Sequence, residues 1–110
     1  LACGEPNTIG WNVLRDYSEM FMSCPDWVAA KGMRVLANPL GSDCKVVSGE
    51  SGAVTTGALN ELMQDEQLKQ AREALGLNKD SIVLLFSTEG DTDPDKYRSI
   101  VWDGEYPSYK

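Results

Sequence analysis

Histidine is absent from this chain, cysteine occurs three times and phenylalanine twice. Without histidine, neither a Ser-His nor a Cys-His catalytic pair can come from this chain alone. Cys3, Cys24 and Cys44 are spaced too widely for a zinc knuckle, so no metal site is expected. An odd number of cysteines fits reduced, cytosolic thiols; the alternative is that one of them pairs outside the chain. Basic residues are also scarce: 10 Lys and Arg against 17 Asp and Glu give a net charge of −7. That argues against nucleic acid or an anionic membrane surface as the main partner, because both need clustered cations. No apolar run reaches membrane-spanning length, and no signal peptide is present. An initiating Met is missing too. The chain opens Leu1-Ala2-Cys3-Gly4 and reads as a piece cut from something longer.

What is present suits one folded unit over residues 1–110. The hydrophobic share is 42% and the charged share 25%, ordinary values for a globular domain. No repeat, linker or low-complexity stretch divides it. The most informative stretch is Ser81–Asp93. Ile82, Val83, Leu84, Leu85 and Phe86 are consecutive apolar residues, which suits a strand buried on both faces. Ser87 to Asp91 leave it as a polar loop that turns on Gly90. In open α/β sheets, ligands sit beyond the carboxyl ends of strands.

Leu1 to Asn7 reads as an entering loop. Thr8 can cap a helix over about residues 9–16, with Ile9, Val13 and Leu14 toward the core. Tyr17 to Ser23 alternates imperfectly and suits a short strand. Pro25 at the first helical position and Asp26 in the first turn open a second helix, with Val28, Gly32, Val35 and Leu36 on one face. Asn38-Pro39 ends it. Lys45, Val46 and Val47 suggest a very short strand, followed by a loop over residues 48–52 and a helix from Ala53 to Met63. Asp65 starts another helix to Leu75, and Gly76 sits where a C′ glycine belongs. Asn78 to Asp80 turns the chain into the apolar run. Asp93 caps a last helix over about residues 94–101, with Pro94 in its first position, and residues 104–110 form a tail. The expected fold is therefore α/β, a three-layer αβα arrangement around a small parallel or mixed sheet.

Two loops could carry chemistry. In Ser48-Gly49-Glu50-Ser51-Gly52-Ala53 the glycines permit close backbone approach, and the loop feeds a helix N-terminus that favours anions. Glu50 is then an acceptor where an anion would sit. The stretch lacks the lysine of a Walker A motif, and no GxGxxG occurs; a tight turn with Glu50 solvated is the plainer reading. In Ser87-Thr88-Glu89-Gly90-Asp91-Thr92-Asp93 the hydroxyls can donate to a heteroatom, while Asp91 and Asp93 are caps or ligands. The spacing is not that of a calcium loop, and a capped strand-to-helix loop is the plainer reading. If the two strands run parallel, both loops reach one edge, and Glu50 and Ser87 face a single ligand.

The order of these elements and loops resembles the later part of the large domain of fold-type II pyridoxal-phosphate enzymes, a group that includes the tryptophan synthase β subunit, serine and threonine ammonia-lyases and cysteine synthase. Gly4-Glu5-Pro6-Asn7-Thr8-Ile9-Gly10-Trp11, the Ser48–Ala53 loop and Trp102-Asp103-Gly104-Glu105-Tyr106-Pro107 are most similar to the ammonia-lyases that act on 2,3-diaminopropionate. The resemblance implies α,β-elimination giving pyruvate and ammonia, a small amino-acid substrate, and a cytoplasmic homodimer as the complete enzyme. It implies a cofactor-binding set of Glu50, Ser51, Gly52, Ser87, Thr88, Gly90 and Asp91. In that set the Ser87 hydroxyl, with Thr88 beside it, meets the pyridine nitrogen, Glu50 lies near the ring, and Gly90 and Asp91 support the turn. The Schiff-base lysine, the phosphate-binding loop and the acid–base residues of these enzymes lie upstream, in the remainder of the same chain. Lys31, Lys45, Lys69, Lys79, Lys96 and Lys110 do not match that lysine's context. The stretch by itself is expected to hold one wall of a cofactor site, no catalytic residue and no activity. A serine or threonine ammonia-lyase, or a stand-alone α/β module for a small anion, are the alternative readings.

Overall fold

The computed structural model describes residues 4–108. Among them it contains α1 (Thr8–Tyr17), α2 (Asp26–Ala37), α3 (Glu50–Gln64), a 3-10 turn (Glu66–Leu68), α4 (Lys69–Ala74) and α5 (Pro94–Val101). Cys3, part of the expected entering loop and the last two residues of the tail lie outside the described residues.

The packing is built on α2 and α3. A Cβ on Gly32 would lie 2.0 Å from the Ala53 carbonyl oxygen, and one on Gly57 would lie 1.9 Å from that of Val28. Both residues therefore have to be glycine for the two backbones to approach as they do. Lys31 and Glu61 form an ion pair across the same crossing. Ala30, Met33, Ala53 and Ile100 make the buried centre, so α5 closes the core over α2 and α3, with Leu36, Tyr97, Val101 and Tyr106 packed around it. Arg34 ties the end of α5 down: it donates to the carbonyls of Ile100, Glu105 and Tyr106 at 3.1, 3.0 and 2.9 Å. The radius of gyration is 14.8 Å, above the roughly 13 Å of a compact domain of this length.

The expected αβα sheet is not formed: no residue of the described chain lies in a β-strand. Tyr17 closes α1, and residues 18–23, 45–47 and 82–86 run without helix or ladder. The reason is that a strand exists only through its neighbours. Val46 N–H donates back to the Leu36 carbonyl at the end of α2, at 3.0 Å. The apolar run is left largely open, with Ile82 100% and Phe86 70% exposed and only Leu85 partly buried.

The first helix also departs from expectation. Its N-cap is Asn7, whose side chain accepts from Gly10 N–H at 2.8 Å, and not Thr8. Ile9, Val13 and Leu14 are exposed, and α1 packs against no other described element. Pro25 is the N-cap of α2 and not its first helical position, so the helix begins one residue later than expected, at Asp26. Val35 is exposed, while Val28 and Gly32 are buried as read from the spacing. The third helix begins at Glu50, three residues before the expected Ala53. Other boundaries fall where the residues put them. Asn38 is the C-cap of α2, and Gly76 follows α4 with φ 67°. Asp93 caps α5 by accepting from Lys96 N–H at 3.0 Å, with Pro94 next to it.

Gly57→Ala is expected to lower the urea midpoint of unfolding, at a cost of roughly 1–3 kcal/mol or more, because its new Cβ meets a backbone carbonyl that cannot yield. Gly10→Ala is the control. Its Cβ would touch only Asn7, at 3.4 Å, and the midpoint should hold or rise slightly.

Candidate functional site

The two polar turns singled out in the sequence meet in the structure. The backbone N–H of Gly49 donates to the Glu89 carbonyl at 3.2 Å. The Ser87 hydroxyl donates to the Ser48 hydroxyl at 2.8 Å. Gly52 lies beneath that pair: a Cβ there would come within 2.5 Å of Ser48 Oγ and 2.8 Å of Ser87 Oγ. An alanine at this position would push the hydroxyls apart, which is the physical reason for glycine.

Glu50, Ser51 and Gly52, expected in a loop, are the first turn of α3, with Gly49 as its N-cap. The free N–H groups of such a turn attract an anion. Here the chain supplies the anion itself. Ser51 N–H donates to Glu89 Oε1 at 3.1 Å, and the Thr92 hydroxyl donates to Glu89 Oε2 at 3.2 Å. Glu89 thus staples the second turn to the start of α3.

Behind this staple lies a small cavity of about 60 Å³, whose walls include Met33, Glu50, Gly90, Asp91, Lys96 and Tyr97. The Tyr97 hydroxyl is buried with no hydrogen-bond partner among the described residues. Burial, and secondarily the nearby Asp91 carboxylate, push its pKa up. The structure therefore divides the expected residues into two groups. Glu50, Gly90 and Asp91 share the cavity; Ser51, Gly52 and Ser87 gather around Ser48 and Glu89. Thr88 is exposed, and its hydroxyl makes no hydrogen bond to a described residue.

Ser48, Glu89, Lys96 and Tyr97 were not among the expected site residues. Ser48 opens the glycine-bearing turn, and its hydroxyl next to two glycines was the available signal. Lys96 is held by a partner nine residues on, past the end of α5, which helical spacing does not reveal. Its ammonium donates to Glu105 Oε1 at 2.6 Å and to the Tyr106 hydroxyl at 3.3 Å, and sits 4.6 Å from the Tyr106 ring centre. Ser99 also donates to Glu105. Together with Arg34 on its carbonyl, these contacts hold Tyr106 at φ 52°, a left-handed conformation that costs a non-glycine residue roughly 1–2 kcal/mol.

Among the described residues, no group of three or more Cys, Asp and Glu side chains is placed to hold a metal ion. No described helix is long and apolar enough to cross a membrane. Cys24 and Cys44 are free thiols, and burial raises the Cys24 pKa.

The Lys96–Glu105 clamp makes a pH prediction. The hydrogen bonds from Lys96 and Ser99 lower the Glu105 pKa, and Glu105 in turn raises that of Lys96. The carboxylate's contribution is complete above the ordinary carboxylate pKa and is lost as pH falls through the depressed value. The ammonium's contribution is complete below the ordinary lysine pKa and is lost as pH rises through the raised value. The protection of residues 104–108 against hydrogen exchange, taken relative to the intrinsic rate at each pH, is expected to fall on acidification through that carboxylate step, and Glu105→Gln should remove the step.

No protein-family model matches the chain. It is 54% identical over 106 residues to the diaminopropionate ammonia-lyase of Escherichia coli, covering 96% of this chain and 27% of that protein. To the diaminopropionate ammonia-lyase of Salmonella typhimurium it is 50% identical over 105 residues, covering 94% and 26%. Among solved structures, it is similar to the Escherichia coli enzyme in complex with an aminoacrylate–pyridoxal phosphate azomethine reaction intermediate, with a TM-score of 0.89, 53% identity and coverage of 97% of this chain and 28% of that one. The same enzyme in complex with D-serine gives a TM-score of 0.89 at 53% identity, covering 96% of this chain and 27% of that one. The chain spans about a quarter of the length of the curated relatives it matches. Along nearly its whole length, in sequence and in three dimensions, it matches one segment of diaminopropionate ammonia-lyase.

Proposed function

We propose that this chain is part of a pyridoxal-phosphate-dependent ammonia-lyase that cleaves 2,3-diaminopropionate to pyruvate and ammonia by α,β-elimination. The observation that carries the reading is the meeting of the Ser87 turn with the first turn of α3, where two hydroxyls and a glycine are brought together. The identity to diaminopropionate ammonia-lyases and the cofactor-bound relative support it. A cytoplasmic, homodimeric enzyme of the fold-type II group belongs to the same proposal.

The residues fit one end of the cofactor and not the other. Ser87 is exposed and carries a neutral donor suited to the pyridine nitrogen. In this reading Thr88 lies beside it, and Glu50, Ser51, Gly52, Gly90 and Asp91 shape the adjoining wall. The phosphate finds nothing here. The Ser51 N–H at the start of α3 is taken by Glu89, and Glu50, Glu89, Asp91 and Asp93 surround the cavity with carboxylates. Phosphate binding then falls to the rest of a longer polypeptide.

When bound, pyridoxal phosphate supplies the electron sink for breaking bonds at the substrate's α-carbon. Ser87 contributes a hydrogen bond that does not force a proton onto the ring nitrogen, as a carboxylate partner would. This moderates the sink and suits an elimination. Lys96, the lysine lining the cavity, is paired with Glu105, and its sequence context is not that of the lysine that binds the cofactor in similar enzymes. The exposed side chains of α1 and of residues 82–86 suit a surface that further polypeptide covers. The anion-module reading loses its support, because α3 already holds its own carboxylate.

A longer polypeptide carrying this chain is expected to release pyruvate from 2,3-diaminopropionate in the presence of pyridoxal phosphate, and residues 1–110 alone are not. Equal or faster turnover of serine would favour a serine ammonia-lyase. Ser87→Asp should lower turnover by on the order of a hundredfold and change the bound cofactor's absorbance. Unchanged turnover would move the assignment to Thr88.

A further inference from the structure

We propose that Ser48 is a positioning residue, which sets the direction of the Ser87 hydroxyl toward the cofactor's ring nitrogen. This rests on the functional reading above. Ser48 is 1% exposed, a buried hydroxyl in a core otherwise made of apolar side chains and glycine. Ser87 is exposed, so the open side of the pair is the Ser87 side. Ser87 donates its one proton to Ser48 Oγ at 2.8 Å, and Ser48 donates its own to the Gly49 carbonyl at a longer 3.2 Å.

A hydroxyl has one proton and two acceptor sites. For Ser87 to donate outward, its proton must leave Ser48, and its inward lone pair is then free to accept. Ser48 is the donor within reach. Turning its proton from the long Gly49 contact to Ser87 Oγ keeps both hydroxyls bonded and moves no proton between heavy atoms. Hydrogen bonds in such a chain strengthen one another. Gly52 keeps the pair at this spacing, since any Cβ there would strike both oxygens. Without Ser48, the remaining inward acceptor for Ser87 is the Glu89 carbonyl at 3.4 Å, which draws the proton away from the open side.

The test is a double-mutant cycle in the complete enzyme carrying this chain, loaded with pyridoxal phosphate labelled at the ring nitrogen. The readouts are the nitrogen NMR shift of the bound ring and kcat/KM. Ser87→Ala should move the ring-nitrogen shift. Ser48→Ala should move it in the same direction by a smaller amount and lower kcat/KM about fivefold, the value of one net hydrogen bond. In the Ser87→Ala background, Ser48→Ala should add no further shift. If Ser87→Ala moves the ring nitrogen and Ser48→Ala does not, the role of Ser48 is overturned while the functional reading stands. A full additional effect of Ser48→Ala in the Ser87→Ala background also overturns it. If Ser87→Ala leaves the ring nitrogen unmoved, the contact belongs to Thr88 and the inference is overturned, while failure of the complete enzyme to bind pyridoxal phosphate would sink the functional reading. Should Ser48→Ala not fold, Ser48→Cys carries the same comparison, because its thiol fills the space and is a poor donor.

Discussion

The contact of two backbones, α2 at Gly32 and α3 at Gly57, is the constraint on which the rest of this structure depends. Each missing Cβ faces the carbonyl of the other helix at a distance no side chain could occupy. Close approach brings Ala30 and Met33 of α2 onto Ala53 of α3. It also fixes the first turn of α3 in space, which is where the polar junction is built. Ile100 completes the core from α5, and Arg34, on α2, holds the end of that helix. A short chain with a small apolar centre thus gains its order from proximity at one crossing more than from the amount of surface buried.

The polar junction follows from that crossing. Glu89 reaches the start of α3 because the turn after Phe86 passes over Gly49 and Gly52. Its carboxylate satisfies an N–H that would otherwise invite an outside anion. Ser48 and Ser87 then meet with only a glycine below them. The same feature that places the hydroxyls also decides which end of a cofactor these residues suit.

Several boundaries were legible because their causes are local. Asp93-Pro94, Asn38-Pro39 and Gly76 act through the next few residues, and each does in the structure what its chemistry dictates. The helix at Glu50 was legible in kind but not in its start, since the capping role of Gly49 depends on Glu89, 40 residues later in the chain. The αβα architecture was not recoverable. The run Ile82–Phe86 states correctly that it is too apolar for water, yet a ladder needs a neighbouring strand, and none among the described residues provides one. For α1, Ile9, Val13 and Leu14 show helical spacing but meet no partner. The convergence of the Glu50 and Ser87 turns was legible as an expectation. Ser48 and the Lys96–Glu105–Tyr106 group were not, because their significance lies in contacts between distant residues.

The three hydrogen bonds from Arg34 to the carbonyls of Ile100, Glu105 and Tyr106 make one guanidinium the latch between the segment after α5 and α2. Arg34 lies on the same helix as Gly32, so the latch and the Gly32–Gly57 crossing share α2. Tyr106 also accepts from Lys96 through its hydroxyl, and Lys96 lines the cavity beside Gly49 and Glu89, so the latched segment and the polar junction share one wall.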